Sequence, residues 1–446
     1  MNLASSRSIA IVGSGVAGLT AAHLLAEHHR VTLFEADDRL GGHAHTHDVT
    51  MPDGAVLSVD TGFIVHNDRT YPTLLRLFDD LGVRTQETDM SMSVRSEITG
   101  LEYAGALGPG GLFPTARTLT RGRYLLMLGE VVRFHRCARR LLDTSDSDEP
   151  LAEFVVREGF SDYFVDNFLL PLVAAVWSCD ADSAGDYPAR YLFRFLDHHG
   201  MLSVFGSPTW RTVVGGSRRY VDKVAAGVVA SGGTVHKRAP IRAVTPDVDG
   251  GGAVVQADGV GTARFDAVVV ATHPHQALAM LTHPTPAQSR ALSTIPYQAK
   301  HAVLHTDTSL LPRARRARAS WNYQIRDDGS EVAVTYDLTR LMRLPTEQPR
   351  MLVTMGRTDL VDADTVIDEM IYEHPLYTAE SVAAQALLPE ANTDTIVFAG
   401  AYHGWGFHED GALAGARAAA HLDTAAHLGT GRPLPDRPAR AEQVTS

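Results

Sequence analysis

Residues 8–18 read Ser-Ile-Ala-Ile-Val-Gly-Ser-Gly-Val-Ala-Gly, and the fold turns on this stretch. Ser8–Val12 is a short apolar run rich in β-branched residues, as a buried strand requires. It runs straight into Gly13-Ser14-Gly15-Val16-Ala17-Gly18. Gly13 allows a tight turn, Gly15 lets backbone approach a pyrophosphate, and Gly18 lets the following helix pack closely on the strand. Leu19–Glu27 has helical character, and Arg30–Phe34 is a second β run that ends at Glu35. Strand, glycine turn, helix and strand make one βαβ unit. Val16 and Ala17, between the glycines, are candidate cofactor contacts beside the helix N-terminus, whose free N–H groups and positive dipole end face an anion. The carboxylate of Glu35, 22 residues after Gly13, can accept both hydroxyls of an adenosine ribose and repels a 2′-phosphate.

The bulk of the chain suits this reading. Its 446 residues are ample for two domains, and 44 % of them are hydrophobic. Forty basic against 52 acidic residues leave a net charge of −12, which argues against nucleic acid as a partner. Cys137 and Cys179 are the two cysteines, too few for a disulfide framework or a Cys-rich zinc site. No apolar run reaches the roughly 18 residues of a spanning helix. The apolar stretch near the start is four residues long and leads into glycines, unlike a signal peptide. The cytoplasm is the expected location.

Further along, residues 115–200 read as mostly helical, with amphipathic stretches at Tyr124–Leu142 and Phe154–Phe168 and a polar break at Ser145–Pro150. Thr234–Val244, Phe265–Val270 and Thr395–Phe398 read as strands, with a turn at Gly250–Gly252. A small-residue helix is expected over Gly411–Leu422, and the tail after Gly429 reads as a loose end. Gly105–Gly111 reads as a loop, so no second strand-preceded glycine fingerprint is evident.

Glu35-Ala36-Asp37-Asp38-Arg39-Leu40-Gly41-Gly42 resembles the Glu-x-x-x-Arg-x-Gly-Gly signature of the flavin amine oxidase, protoporphyrinogen oxidase and phytoene desaturase superfamily. The resemblance implies FAD, with Arg39 giving a cation to the diphosphate and Gly41 and Gly42 keeping Cβ atoms off the cofactor. Neither Cys137 nor Cys179 sits near a flavin motif, so the expected attachment is non-covalent. Asp60-Thr61-Gly62 resembles the superfamily's turn near the isoalloxazine, which implies contacts from Thr61 and Gly62. Trp210–Ser217 resembles its returning glycine-pair segment. Ile241 occupies the place of the aliphatic residue under the adenine, and Phe265–Thr272 matches a core strand. Phe398-Ala399-Gly400, followed by Gly406, Gly411 and Gly415, resembles the segment where a helix N-terminus meets the flavin, implying Gly400, Gly411 and Ala412. Many members carry an acid directly after Phe-Ala-Gly. Ala401 stands there instead, leaving that role to Glu409, to Asp410 or to a backbone N–H.

The implied fold is α/β. A Rossmann-like (GR2-type) FAD-binding domain is expected from residues 1–62, 208–275 and 393–426, with a discontinuous α+β substrate domain from 63–207 and 276–392 and a flexible tail over 427–446. Gly41-Gly42-His43, Asp60–Asn67, Ser320-Trp321-Asn322-Tyr323 and Gly406–Gly411 look closest to bacterial predicted NAD/FAD-binding oxidoreductases. Their genes often neighbour cyclopropane-fatty-acid-synthase-like methyltransferases.

His43, His45 and His47 alternate, and on a strand alternate side chains share a face. No Cys or acid at zinc spacing accompanies them. The expectation is a flavin-adjacent His43, structural neighbours, and no metal site. The resemblance also brings Lys300 forward, as the lysine that holds a water near flavin N5 in amine oxidases. A surface lysine on an amphipathic strand is the plain reading. Tyr402, His403 and Trp405 precede the last flavin segment, and Tyr402 and Trp405 are the aromatic candidates for the reacting end. Trp321 and Tyr323, and more weakly His66, Asn67 and Trp177, are candidates to line the substrate cavity.

The expected reaction is removal of a hydride or electron pair from an apolar substrate. A dehydrogenase or desaturase is the favoured reading, on a small molecule or a modified fatty acyl chain. A flavin amine oxidase and a non-enzymatic binding protein of the same fold remain the alternatives. Pro312–Arg318, with four arginines, is either a solvated loop or a docking patch for anionic headgroups, peripheral to the inner face of a membrane. Oligomeric state is left open by the sequence.

Overall fold

The computed structural model describes residues 6–144, 149–177, 184–203, 206–247, 251–326, 333–345 and 349–423. Cys179 and the expected tail lie outside these.

The apolar β runs do pair. Ser8–Val12 lies between Arg30–Phe34 and Ala267–Val270, all parallel. Thr234–His236 and Ile396–Phe398 complete a five-stranded parallel sheet from three distant stretches of chain. Ile9, Ile11, Val31, Leu33 and Val269 are essentially buried, as parallel strands covered on both faces must be. The helix Val16–Leu25 returns over this sheet. Against it lies the helix His408–Leu422, whose buried alanines form the contact. A Cβ on Gly415 would lie 2.1 Å from the Ala17 carbonyl oxygen, so these two backbones touch.

A seven-stranded sheet builds the second body. Its order runs Val366–Pro375, Tyr297–His305, Leu352–Met355, Ala333–Asp337, Trp321–Ile325, Met92–Ser96, Leu101–Ala104. A helical lobe packs beside it, from Gly122–Thr144 through Ala189–His198. Phe134, Phe154, Phe160, Phe164 and Phe193 form its aromatic core.

Three sequence expectations need correction. The amphipathic stretch Phe154–Phe168 is not one helix: the helix Leu151–Glu158 ends on Gly159, left-handed at φ +67°, and a new turn starts at Ser161. Thr234–Val244 is two strands, because Arg238 at φ +54° and Pro240 turn the chain from the parallel sheet into the antiparallel strand Ile241–Pro246. Gly105–Gly111 is mostly short helical turns rather than an open loop.

Candidate active site

The cavity begins where the first strand ends. Gly13 sits at φ +96°, and a Cβ there would come 2.7 Å from the Ala271 carbonyl oxygen. A Cβ on Gly18 would collide with the Gly13 oxygen at 1.9 Å. Both glycines shape the turn from behind, and Gly18 is not a wall residue. Gly15 differs: a Cβ there meets nothing within 4 Å. It caps the helix Val16–Leu25 with no side-chain hydrogen bond to its free N–H groups. This is an open cradle at a positive helix end, the shape an anionic diphosphate fills.

Glu35, Ala36, Asp37 and Arg39 line the same end. Glu35 Oε2 accepts from Ser14 N–H at 3.0 Å and from the Ser14 hydroxyl. Arg39 Nη1 donates to the Gly42 carbonyl at 2.7 Å, which holds the guanidinium against the wall. Phe34, Pro240, Ile241 and Met280 form an apolar slot beyond, suited to a flat purine. Gly42, at φ +57°, would place a Cβ 3.1 Å from Gly15 Cα. Gly41, at φ +113°, is a turn residue set back from the wall, against Ala44.

The cavity holds about 960 Å³ in all and continues from this cradle into an aromatic chamber. Thr61, Gly62, His43, Tyr372 and His374 stand between the two. The Thr61 hydroxyl and Tyr372 Oη are 2.7 Å apart. The His43 ring lies 5.1 Å from Tyr372 and 5.3 Å from His374. Burial holds His43 well below the usual imidazole range, helped by His374, His273 and Arg39. Burial likewise lowers His374 to about 4, with Lys300 contributing. Both are neutral at physiological pH, and His43 Nε2 and His374 Nδ1 are buried with no partner.

The segment 400–407 forms the far wall. The Tyr402 ring lies over Gly400, where a Cβ would come within 2.3 Å of it. Gln385 Nε2 donates to the Tyr402 carbonyl at 3.0 Å, Tyr191 to the Gly404 carbonyl at 2.8 Å, and Trp177 Nε1 to the Trp405 carbonyl at 3.3 Å. Tyr402 Oη and Trp405 Nε1 are buried and unpartnered. Met90, Val176, Trp177, Phe195, Met201 and Met355 supply apolar surface. Trp321 and Tyr336, paired across two strands, complete it with ring centroids 5.1 Å apart.

Several expected site residues lie elsewhere. Lys300 is buried on its strand opposite Tyr372, and it is not a wall residue. Tyr323 shares a strand face with Trp321 but is fully buried in the sheet core. His66 is buried behind Phe63 and against Phe78, and His403 sits behind Tyr402, 4.7 Å from its ring. Gly411 and Ala412 are spent on helix packing, Gly411 against Val16. Glu409 does not reach the cavity; it accepts from Thr73 N–H and Leu74 N–H at 2.9 Å, capping the helix Pro72–Asp80. Asp410 accepts from Phe407 N–H at 3.0 Å and caps its own helix. Neither Glu409 nor Asp410 lines the cavity in place of the acid missing at Ala401.

His45 and His47 are structural. Their rings lie 4.0 Å apart, with His45 Nδ1 at 3.1 Å from Tyr372 Oη and His47 Nδ1 at 2.9 Å from Asp368. His273, His275 and Glu373 bring three metal-capable atoms within 4.8 Å of one another. His273 Nδ1 and Glu373 Oε2 are 2.7 Å apart, closer than the roughly 3.3 Å between donors on a tetrahedral ion with bonds of about 2.0–2.1 Å. They hold each other by a hydrogen bond. The sequence reading passed over Tyr372 and His374. Their signal was the alternation in Ile371-Tyr372-Glu373-His374, two polar rings two residues apart on one strand.

A glycine cradle at a helix N-terminus, a carboxylate beside it at the end of the second strand and an aromatic chamber are the site of a dinucleotide-dependent oxidoreductase. The pattern of the family "Flavin containing amine oxidoreductase" matches residues 16–356, and the chain belongs to that family. It is 26 % identical over 353 residues to the putative flavin-containing monoamine oxidase AofH of Mycobacterium tuberculosis, covering 74 % of this chain and 70 % of that one. Protoporphyrinogen oxidase 2 of Arabidopsis thaliana is 29 % identical over 182 residues, 40 % of this chain and 34 % of its own length. The chain thus spans about a third of that relative. Among solved structures, putrescine oxidase bound to putrescine superposes with a TM-score of 0.63 at 18 % identity, over 94 % of this chain and 99 % of that one. A CLA-producing fatty acid isomerase from P. acnes gives 0.63 at 16 % identity, over 92 % and 97 %. The family implies FAD, and the open cradle at Gly15 and the unpartnered polar atoms of the chamber fit it.

Proposed function

We propose that the protein is an FAD-dependent dehydrogenase or desaturase acting on an apolar substrate, with a modified fatty acyl chain as the favoured class. The observation that carries this is the composition of the chamber. Its carboxylates are confined to Glu35 and Asp37 at the nucleotide end and Glu373, which is held by His273. Its histidines are neutral. An ammonium group would enter this space without a counter-ion, whereas an alkyl chain meets Met, Val, Trp and Phe. That a protein of this fold isomerises a fatty acid makes an acyl substrate compatible with the architecture.

Bound FAD accepts the hydride or electron pair. In this reading Gly13, Gly15, Glu35 and Arg39 hold its diphosphate and ribose, Ile241 its adenine, and His43, Thr61 and Gly62 the approach to the flavin. In this reading residues 1–62, 208–275 and 393–426 serve the cofactor, and 63–207 and 276–392 the substrate. Tyr402, Trp405, Trp177 and Trp321 orient the chain and exclude water. Cys137 is buried in the helical lobe, away from the cavity, so FAD is held non-covalently; acid precipitation then leaves the colour in the supernatant.

The test is anaerobic. Purified yellow protein is mixed with acyl lipids from its source and followed at about 450 nm, the oxidised flavin band. Bleaching, with a new double bond in the product, supports the reading. Bleaching by amines alone sinks it and installs an amine oxidase, the reading favoured by the aromatic pair Tyr402 and Trp405. Colourless protein after flavin reconstitution points to a binding protein.

A further inference from the structure

Away from the cavity, the helix Gly122–Thr144 has an outer face that nothing in the described structure covers. Its inner face is ordinary: Tyr124, Met127, Phe134, Ala138 and Leu141 are buried in the lobe. Its outer face carries Leu125, Leu126, Gly129 and Val132, with Leu126 72 % exposed. These positions fall on one side of a 3.6-residue repeat. Leu119, which ends the preceding helical turn, is 55 % exposed, and Ile98, in the neighbouring strand turn, 57 %. Exposed leucines in single places need no explanation, but here they recur along one helix face and on the turn that precedes it.

Beside this group lies a basic hollow of about 510 Å³. Arg95, Arg117, Arg121 and Arg313 line it with Glu97 and Glu102. Its two acids are already engaged. Glu102 accepts from Arg313 N–H at 2.9 Å and Ala314 N–H at 2.8 Å. Glu97 pairs with Arg95 at 3.1 Å and Arg326 at 3.3 Å. The side chains of Arg117 and Arg313 make no hydrogen bond or ion pair with the described residues. Arg313 belongs to the basic run of the sequence, whose Arg315 and Arg316 are also exposed. Glu102 therefore anchors that run beside the exposed leucines.

We propose that this face docks on the surface of an anionic lipid bilayer. Leu119, Leu125 and Leu126 enter the headgroup–acyl boundary, and Arg117, Arg121 and Arg313 take the lipid phosphates. The combination is that of an interfacial helix, apolar on its outer stripe and flanked by arginine. Among the described residues no helix is long and apolar enough to cross a membrane, so the contact is peripheral. Charge complementarity selects the occupant. A second copy of the chain in a two-fold contact would bring the same arginines face to face. The molecule as a whole carries a net charge of −12 and is repelled by an anionic surface, which leaves this basic face to meet it. The proposal does not depend on which substrate the cavity takes.

The test is co-sedimentation of the full flavoprotein with vesicles. One set is pure phosphatidylcholine, the other equal parts phosphatidylcholine and phosphatidylglycerol. The protein is expected to pellet with the anionic set at low salt and to be released as salt screens the contact. L125D/L126D and R117E/R313E should each reduce pelleting on the order of tenfold or more, with flavin absorbance and melting temperature unchanged. No pelleting at low salt, or equal pelleting of both variants, overturns the proposal. So does release by inorganic phosphate but not by chloride at equal ionic strength, which marks a free-phosphate site. A dimer that L125D/L126D dissociates would give the face to a second copy.

Discussion

The two ends of one cavity are built by different means. At the nucleotide end the wall is largely backbone: Gly13, Gly15, Gly42 and a helix terminus, with Glu35 and Arg39 as the specific side chains. At the other end the wall is side chains, from the 400–407 segment, the helical lobe and the seven-stranded sheet. A backbone cradle tolerates almost no added atom. A side-chain chamber tolerates exchange, and its selectivity follows from which rings and thioethers fill it. The first end carries what the family shares, and the second carries what this protein does.

The most decisive break uses two glycines three residues apart. At Gly15 an added Cβ meets nothing within 4 Å, so with Gly15→Val the fold should survive while flavin content falls below about a tenth, since the phosphates lose their helix terminus. Gly18→Ala places its Cβ 1.9 Å from a carbonyl oxygen. It should cost about 1–3 kcal/mol of stability through forced backbone shifts. Flavin absorbance together with thermal unfolding of both variants separates the two effects; a yellow Gly15→Val protein would refute the assignment of the cradle.

His374→Phe should keep the flavin and lower kcat/KM by about tenfold, as loss of a positioned polar group does. It also carries a pH signature. His374 is lowered to about 4 in the folded protein, against 6.5 ordinarily. Between those values the unfolded chain binds the extra proton, so stability falls as pH drops from about 6.5 to 4, by up to about 3 kcal/mol. The variant should lose that share of acid sensitivity, read from melting temperature between pH 7 and 4.5.

Glu409 gives the opposite sign. Burial raises it to about 7 from 4.5. The folded state then holds the proton over this window, and stability falls as pH rises through it. Glu409→Gln should flatten the alkaline side of the stability profile by a few degrees, roughly 1–2 kcal/mol; an unchanged slope from pH 5 to 8 would show that the carboxylate stays ionised. The smallest effect is expected of Lys300→Met, because Lys300 stands behind the wall. Turnover should stay within about threefold, and a loss of a hundredfold would bring the lysine back to the reacting end.

What was legible in the sequence follows the same division. Gly13 and Gly18 were legible because a positive φ and a close backbone approach restrict those positions to glycine, whereas Glu35 came from its spacing and Arg39 from a family resemblance. The parallel strands could be read as apolar runs. The chamber could not, because a Tyr or His on a strand looks the same whether it faces a cavity or a core. Trp321 faces the cavity and Tyr323, two residues on, belongs to the core. Alternation alone did not predict that outcome. Lys300 and His66 came from position and type, and burial places both behind the wall. Tyr372 and His374 lie on a strand without a sequence motif, and only pairing with the strand of Lys300 brings them to the chamber.

The parallel sheet has a temporal side. Its last strand is Ile396–Phe398, and the helix resting on the nucleotide helix is His408–Leu422. During synthesis the glycine turn at 13–18 emerges long before its lateral support. Contacts of such long sequence separation form slowly. Until they form, the inner faces of Val16–Leu25 and Val268–Val270 are bare and prone to aggregation. Cofactor loading is then a late event in the life of the nascent chain, and expression in flavin-poor cells should cost yield before it costs activity.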